Sequence, residues 1–154
     1  MIVVDIVTKF LNDKMKLPEY FHDSDGAVDL QANLEEPMLL SYGEQALIPT
    51  GVYIGLPHTP EDDFNWCMEI TPRSGLANKS GITITNSPGL IDAGYRAQVF
   101  VILKNTKQQE FTIEPGDRIA QMKLTKTYKI SWNTCSELTD TDRGLKGLGS
   151  TGVK

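Results

Sequence analysis

Gly81-Ile82-Thr83-Ile84-Thr85 is the stretch that indicates the fold most directly, because apolar and polar side chains alternate along it. A period of two places alternate side chains on opposite faces of a β-strand, and the β-branched Ile and Thr favour strands. Runs of similar character recur along the chain at roughly 8–12-residue spacing, separated by turn residues, as is typical of sandwiches and barrels. The sequence therefore predicts an all-β fold.

The other predicted strands are short apolar or β-branched runs between turn residues. The full set is Ile2–Val7, Ala27–Leu34, Met38–Leu40, Gln45–Ile48, Val52–Leu56, Trp66–Thr71, Ile82–Thr85, Gln98–Leu103, Glu110–Ile113 and Ile119–Leu124. The polar stretch 58–65 is interpreted as a hairpin connection. No window of a dozen residues keeps the 3.6-residue apolar period of a helix, so only one short helix, Ser74–Ser80, is predicted.

The length of 154 residues fits one domain with a sizeable core. We assign residues 1–135 to a β-barrel and 136–154 to a flexible, Gly-rich C-terminal arm or lid of the same domain. No apolar run approaches 18 residues, which excludes a membrane-spanning helix. The stretch 1–7 lacks a basic region and contains Asp5, so it is interpreted as a strand and not a signal peptide. Without a targeting signal, we expect a cytoplasmic location, or the host-cell cytoplasm if the protein is viral.

The rare residue types narrow the possible chemistry. Cys67 and Cys135 form no CxxC pair, which argues against a disulfide framework or a thiolate zinc site. His22 and His58 are the only histidines, and neither lies in an HExxH or GxSxG pattern. A Ser-His-Asp or Cys-His catalytic unit is therefore not expected, and a general base would be a carboxylate.

A formal net charge of −5 argues against broad attraction to nucleic acid, although a small anion remains compatible through local donors and a divalent cation. Arginine suits forked recognition of phosphate. The chain has four arginines, at positions 73, 96, 118 and 143. We interpret Arg96 and Arg118 as surface or acid-paired residues, and Arg73 and Arg143 as candidates for a functional site.

The segment Asn86-Ser87-Pro88-Gly89-Leu90-Ile91-Asp92-Ala93-Gly94-Tyr95-Arg96 carries turn residues near both ends and predicts a tight β-hairpin. Glycine would let a flat base approach its backbone, Tyr95 offers a flat ring, and Asp92 offers an acceptor for a water proton. Taken alone, the segment is explained more simply by a turn-capping Asp92 and a Tyr95 in the core.

Two further segments allow both a functional and a structural interpretation. Thr71-Pro72-Arg73-Ser74-Gly75-Leu76-Ala77 offers a guanidinium, a hydroxyl and helix N-terminal N–H groups to an anion, or simply a Ser N-cap. The C-terminal end has glycines at 144, 147, 149 and 152, with Ser150 and Thr151 between them. It is either a disordered end or a lid that closes over phosphate oxygens, with Arg143 at its base.

Five motifs in order give the chain a resemblance to the trimeric dUTPase family (deoxyuridine triphosphate pyrophosphatases) over essentially its whole length. They are Gly26-Ala27-Val28-Asp29-Leu30 with Ala32; Pro72 to Ala77; Asn86 to Tyr95 with its Gly-Leu-Ile-Asp-x-x-Tyr core; Gly116-Asp117-Arg118-Ile119-Ala120-Gln121; and Arg143-Gly144 with Gly147-Leu148-Gly149-Ser150-Thr151-Gly152. Each motif alone is weak, but their order and spacing together are specific.

The resemblance implies a distorted jelly-roll β-barrel that assembles as a homotrimer, with each active site built from all three subunits. It also implies Mg²⁺-dependent hydrolysis of dUTP to dUMP and pyrophosphate, which limits uracil in DNA and supplies dUMP for dTMP synthesis. Asp92 would activate the water that attacks the α-phosphorus. Nucleic acid and membranes are not expected as partners.

The resemblance also implies the binding residues. Uracil and deoxyribose would contact Asn86, Gly89, Leu90, Ile91, Tyr95 and Leu148. The phosphates would contact Arg73, Ser74, Gly75 and Gln121 of a neighbouring subunit and Arg143, Gly149, Ser150 and Thr151 of the third. Mg²⁺ would bind the phosphates and water with no direct protein ligand, and Asp29 would reach it through water.

The sequence departs from the family pattern at three places. Leu148 stands where the family usually has a Phe that stacks on uracil, a loss of about 0.5–1.5 kcal/mol that predicts weaker lid closure. Lys146 replaces a frequent small residue and adds a candidate phosphate contact. Ala97-Gln98 replaces a common Gly-Glu at a strand start.

Three alternatives accompany this interpretation. The related dCTP deaminase family shares the fold and a similar Arg-Ser cluster, but Ile91-Asp92-x-x-Tyr95 and the long Gly-rich tail argue against it. A non-catalytic nucleotide-sensing module would be compatible with Leu148, although Asp92 and Arg143 favour turnover. A purely structural β-sandwich would leave the five motifs unexplained.

Overall fold

A computed structural model describes residues 6–10 and 16–145. Its elements, in chain order, are β1 Val7–Phe10, β2 Val28–Gln31, β3 Met38–Leu40, β4 Gln45–Gly55, β5 Phe64–Pro72, α1 Ser74–Ser80, β6 Ile82–Ile84, β7 Gly89–Asp92, β8 Gln98–Asn105, β9 Phe111–Ile113 and β10 Arg118–Tyr128. The predicted all-β class is confirmed, and so is the single short helix. In the described part of the chain, no helix has the length and apolarity needed to cross a membrane.

Two four-stranded antiparallel sheets form the jelly-roll, in the orders β1-β4-β8-β6 and β2-β10-β5-β7, and β3 pairs with β9 beside them. Side chains alternate in burial along β8, where Val99, Val101 and Leu103 point inward and are fully buried. Together with Leu30 and Ile119 they belong to one core between the sheets. Burial of each such side chain contributes roughly 1.5–3 kcal/mol, which explains why the two-residue period determines the fold.

β4 differs from its prediction, because it runs unbroken from Gln45 to Gly55 where two strands separated at 49–51 were expected. Residues 49–51 form a bulge within the continuous strand, and the register with β8 shifts between Pro49 and Tyr53. Gly51 takes a left-handed φ of 70° there, a conformation that glycine adopts without steric cost. The hydroxyl of the buried Thr50 donates to the Val99 carbonyl at 2.7 Å and thereby closes the gap in the ladder.

The connection between β4 and β5 was also predicted incorrectly. These strands belong to different sheets, so residues 58–65 carry the chain from one sheet to the other and are not a hairpin connection. At the N-terminus, the predicted strand Ile2–Val7 overlaps the described residues only at 6 and 7, and β1 begins at Val7. The first five residues lie outside the described part of the chain.

The segment 86–96 is not a self-paired hairpin. Its strand β7 pairs antiparallel with β5, matching Gly89 with Ile70 and Asp92 with Cys67. A local prediction missed this pairing because the partner strand lies about twenty residues earlier in the sequence. β7 is consequently the last strand of its sheet, and its second edge has no strand partner among the described residues.

Candidate active site

β7 exposes both side chains and backbone at the edge of the sheet. Leu90 and Asp92 are exposed on one face, while Gly89 is buried and Ile91 is half-buried on the other. A Cβ on Gly89 would lie 3.2 Å from the Asn86 Nδ2 atom, so the absence of a side chain lets the Asn86 amide lie against the strand. These residues line a narrow cleft of ≈ 40 Å³ beside β8. The structure thus brings Asn86, Gly89, Leu90 and Ile91 together.

Asp92 ends β7 with its side chain exposed to solvent. Within residues 6–10 and 16–145, no cation or hydrogen-bond donor pairs with its carboxylate, and the turn that follows is closed by the Asp92 backbone carbonyl, which accepts from the Tyr95 N–H at 3.0 Å. The side chain therefore does not cap the turn. Its cross-strand neighbour Cys67 is buried, and burial raises the pKa of that thiol, with further contributions from the Glu69 and Asp92 charges.

Tyr95 follows this turn and is fixed at both ends. Its half-buried side chain donates a hydrogen bond from the hydroxyl to the Gln98 carbonyl at 2.6 Å. The Arg96 Nη1 donates to the carbonyls of Ala93 and Tyr95, each at 2.6 Å. Arg96, which we interpreted as a surface or acid-paired residue, thus binds backbone and holds the turn between Asp92 and Tyr95.

A second cluster lies where β2, β10 and the end of β5 meet. The Asp29 carboxylate accepts from the Arg73 Nε at 2.9 Å and from the Arg118 Nη1 at 3.1 Å. Arg73 also donates to the Arg118 carbonyl at 3.1 Å. Gln121 pairs in register with Asp29 on β2 and with Thr71 on β5, so it joins the same cluster. The two arginines and Asp29 are partly buried or exposed around an open cavity of ≈ 310 Å³ that also contacts Gln121.

Ser74 and Gly75 begin α1 beside Arg73 and are both exposed. Arg73 is the N-cap residue, and no side chain caps the helix by a hydrogen bond, so the simpler interpretation of Ser74 as an N-cap is wrong. Ser74 and the first turn of the helix are therefore exposed next to a guanidinium. This arrangement offers donors to an anion.

The two clusters lie far apart on one chain. Asp92 is opposite Cys67, whereas Arg73 directly follows the last residue of β5. Position 73 lies six residues beyond position 67, which corresponds to roughly 20 Å along an extended strand. One chain therefore does not bring Asp92 and Arg73 to the same phosphate group.

The predicted lid falls mainly outside the described residues. Arg143 and Gly144 are described and exposed, in a turn where the Gly144 N–H donates to the Thr141 carbonyl. Lys146, Gly147, Leu148, Gly149, Ser150, Thr151 and Gly152 lie outside the described part of the chain.

Sequence reasoning missed the role of three residues. Arg118 is acid-paired, as interpreted, but that the same Asp29 carboxylate also binds Arg73 was not foreseen. The Gln98 carbonyl accepts from the Tyr95 hydroxyl, and Arg96 donates to the Tyr95 carbonyl. The only sequence signal for them was position, since Arg118 lies within the fourth motif and Arg96 at the end of the third.

The chain is similar to dUTPases from several sources. The dUTPase family profile matches residues 13–152. The deoxyuridine 5'-triphosphate nucleotidohydrolase of Rickettsia bellii strain OSU 85-389 is 49% identical over 147 residues, which cover 96% of this chain and 94% of that protein. The enzyme of the same name from Rickettsia typhi strain Wilmington is 44% identical and covers 99% of this chain and 100% of its own length.

Solved structures agree with this relationship. A mutant dUTPase of Staphylococcus bacteriophage 80alpha with dUpNHpp superposes with a TM-score of 0.81 at 25% identity, over 97% of this chain and 99% of that one. A mutant dUTPase from phage phi11 of S. aureus, described with a structural Mg(II) ion, has the same fold, with a TM-score of 0.75 at 21% identity over 88% and 99% of the two chains. The match to the family profile over nearly the whole length, with relatives close to half identical, shows that the chain belongs to the dUTPase family.

Proposed function

We propose that this protein hydrolyses dUTP to dUMP and pyrophosphate in a homotrimer whose active sites are shared between subunits. The observation that carries the proposal is the exposed Asp92 carboxylate, which ends the unpaired edge of β7 and has no partner in the described part of the chain. Such a carboxylate is available to a water molecule. The curated relatives carry the name of this activity.

Uracil binds along the free edge of β7 in this proposal. An edge strand presents unpaired backbone N–H and C=O groups, which match the donors and acceptors of a pyrimidine. The Asn86 amide beside Gly89 adds a side-chain donor and acceptor. Leu90 and Ile91 border the base, and Tyr95 packs against deoxyribose, where its ring leaves no space for a 2′-hydroxyl. Leu148 covers the base from the C-terminal arm.

Asp92 acts as the general base. The carboxylate orients a water molecule toward the α-phosphorus and accepts its proton as the new P–O bond forms and the bond to the leaving pyrophosphate breaks. General-base catalysis contributes roughly 10²–10⁴-fold to a rate when the base is held in place. The pairing of β7 with β5 and the turn closed by Arg96 support that requirement.

The phosphates bind donors from two other subunits. Arg73, Ser74, Gly75 and Gln121 supply a guanidinium, a hydroxyl, backbone N–H groups and an amide from one neighbour. Arg143, Gly149, Ser150 and Thr151 supply a second set from the C-terminal arm of the other. Fixed donors of this kind stabilise the charge that develops on the phosphoryl oxygens.

Mg²⁺ is the cofactor that suits this donor set. No group of three or more His, Cys, Asp or Glu side chains converges on a metal position in the described residues. Mg²⁺ commonly binds through substrate phosphates and water, and when bound it neutralises part of the triphosphate charge. Asp29, which lies between Arg73 and Arg118, would contact the ion through a water molecule.

Two observations support the trimer. The roughly 20 Å between the positions of Asp92 and Arg73 along β5 favours a site in which the two groups come from different chains. Tyr128, at the end of β10, and Ile130 and Trp132 just beyond it are 72%, 73% and 86% exposed. Large exposed apolar side chains close together in the sequence favour contact with another chain. We assign residues 1–135 to the barrel and 136–154 to an arm that reaches a neighbouring site.

The cellular role follows from this chemistry. Removal of dUTP limits uracil in DNA, and the dUMP formed supplies dTMP synthesis. We place the enzyme in the cytoplasm, or in the host-cell cytoplasm for a viral source, where nucleotide pools are accessible.

Pyrophosphate release from dUTP, dTTP, dCTP and UTP with Mg²⁺ tests the proposal. We expect turnover of dUTP well above the other three nucleotides. Equal rates with dUTP and dTTP would reject the assignment of uracil, and ammonia release from dCTP would indicate deaminase chemistry. Nucleotide binding without turnover would indicate a sensing module.

The variant Asp92→Asn provides the mechanistic part of this test. It should lower kcat for dUTP by roughly 10²–10⁴-fold while dUTP binding persists. The matched control is Asp63→Asn, which makes the same charge change at an exposed residue that precedes β5 and pairs with no residue of β7, and it should retain wild-type kcat.

A further inference from the structure

Gln98 lies at the point where the β4–β8 ladder is irregular. Tyr53 pairs with Gln98 and Pro49 with Phe100, so the bulge in β4 leaves the Gly51 N–H without a regular ladder acceptor. The Gln98 side chain fills this gap, because its Oε1 atom accepts from the Gly51 N–H at 2.7 Å. Gly51 is buried, which makes the side-chain amide the means of satisfying this donor.

The backbone of the same residue anchors Tyr95. Its carbonyl accepts the Tyr95 hydroxyl at 2.6 Å, so one residue contacts the bulge through its side chain and the tyrosine through its main chain. The Tyr95 ring is therefore held at its far end by a residue whose own position depends on Gly51. Arg96 holds the near end through the Tyr95 carbonyl.

We infer that Gln98 is a positioning residue that sets the discrimination between deoxyribose and ribose nucleotides through Tyr95. The inference rests on the proposed function, in which the Tyr95 ring excludes a 2′-hydroxyl. A ring fixed at its hydroxyl cannot move aside for the extra oxygen, whereas a ring released at that end gains room to do so. Loss of the Gly51–Gln98 hydrogen bond therefore relaxes sugar selectivity without removing any group that touches the substrate.

The measurement is the ratio of kcat/KM for dUTP to kcat/KM for UTP. For Gln98→Ala we expect this ratio to fall by about 10-fold, chiefly through better use of UTP. Gln98→Glu keeps an oxygen that accepts from Gly51 and should restore the ratio to within about 3-fold of wild type. Tyr95→Phe removes only the anchoring hydroxyl and should shift the ratio in the same direction. The double variant Gln98→Ala/Tyr95→Phe should show no larger fall in this ratio than either single variant, because both changes break the same linkage.

Gln45→Ala is the matched control. Gln45 also uses its side-chain Oε1 as an acceptor, from the Thr85 hydroxyl at 2.9 Å, but it pairs with Lys104 at the opposite end of the β4–β8 ladder. We expect the wild-type ratio for this variant. A general loss of packing would instead lower turnover of both nucleotides equally and leave the ratio unchanged.

The outcomes separate the inference from the proposed function. If wild-type protein hydrolyses dUTP and both Gln98→Ala and Tyr95→Phe keep the wild-type ratio, the inference is overturned and the proposed function stands. If wild-type protein does not hydrolyse dUTP, both are overturned. If Gln98→Ala fails to fold, Tyr95→Phe decides by itself, since it removes one oxygen atom at a half-buried position.

Discussion

The Asp29 carboxylate holds the Arg73 guanidinium at 2.9 Å, and its second oxygen holds Arg118 at 3.1 Å. One carboxylate on β2 thus joins the residue after β5 to the first residue of β10. Both ion pairs are partly accessible to solvent, with Asp29 23% exposed. These ion pairs orient the Arg73 guanidinium more than they stabilise the fold, because solvent screens such pairs.

Replacing Asp29 should therefore weaken phosphate binding. For Asp29→Asn we expect KM for dUTP to rise by about 10-fold, equivalent to about 1.4 kcal/mol, since Arg73 loses its charged partner. Steady-state pyrophosphate release measures this change. Asp25→Asn is the control, because Asp25 lines the same cavity but, among the described residues, its carboxylate accepts only from the His22 N–H in a local turn. A similar rise in KM for both variants would indicate general loss of charge and contradict the account.

Gly89 tests the contact between β7 and Asn86. A Cβ at this position would meet the Asn86 Nδ2 at 3.2 Å and the Ile70 Cβ at 3.6 Å. Gly89→Ala should displace the amide from the base and lower kcat/KM for dUTP by roughly 10-fold, or about 1.4 kcal/mol. The thermal unfolding temperature should change little, because the shift is a few tenths of an ångström.

Gly94→Ala is the matched control for this change. Gly94 lies on the same segment, and a Cβ there would meet nothing within 4 Å. We expect wild-type kcat/KM for it. Equal losses in the two alanine variants would assign the effect to the segment's flexibility and not to Asn86.

Cys67 offers a test of the β5–β7 pairing. Burial, Glu69 and Asp92 raise the pKa of its thiol above the ordinary 9.0, and the thiolate is the form that alkylating reagents attack. In the Cys135→Ser variant, native Cys67 should react on the order of 100-fold more slowly than the exposed Cys135 does in the Cys67→Ser variant. In denaturant the two rates should converge. Rapid native labelling of Cys67 would contradict its burial beside β7.

The raised pKa of the Cys67 thiol determines how the free energy of unfolding changes with pH. Well below pH 9.0 the Cys67 thiol is protonated in both the folded and the unfolded chain, so it contributes no slope to the free energy of unfolding. Above that pH the unfolded chain loses this proton first, so the free energy of unfolding falls as pH rises. Urea unfolding of the Cys135→Ser variant, with and without Cys67→Ser, measures this contribution, which should be absent when the thiol is removed.

Local sequence patterns predicted the all-β class and the bounds of α1 because both depend on near neighbours. The period of two in Gly81 to Thr85 reflects burial of every second side chain, and β6 forms there at Ile82–Ile84. β7 was misjudged because its partner is a distant strand, and a turn-rich segment gives no local signal of that partner. β4 was divided at 49–51 because bulge residues resemble a turn.

Family resemblance, and not residue pattern, predicted the site residues in the sequence. Gly89 and Asp92 belong to β7, and the Asn86 side chain lies against Gly89, an arrangement compatible with a shared role in binding. The linkage of Asp29 to both Arg73 and Arg118 was not predictable, since the three residues are far apart in sequence and meet only when β2, β5 and β10 align. Gln98 was noted only as a departure at a strand start, because its contacts depend on a bulge in another strand.

The central claim is that a site joins Asp92 of one chain to Arg73 of another, and subunit mixing tests it most directly. Asp92→Asn and Arg73→Ala proteins, each inactive alone, would be unfolded together in equal amounts, refolded and assayed for pyrophosphate release from dUTP. Random assembly of a shared site leaves roughly a quarter of the sites with both native residues, so about a quarter of wild-type activity should return. No recovery from trimers shown to contain both chains would contradict the account, because it would place Asp92 and Arg73 of a single chain in each site.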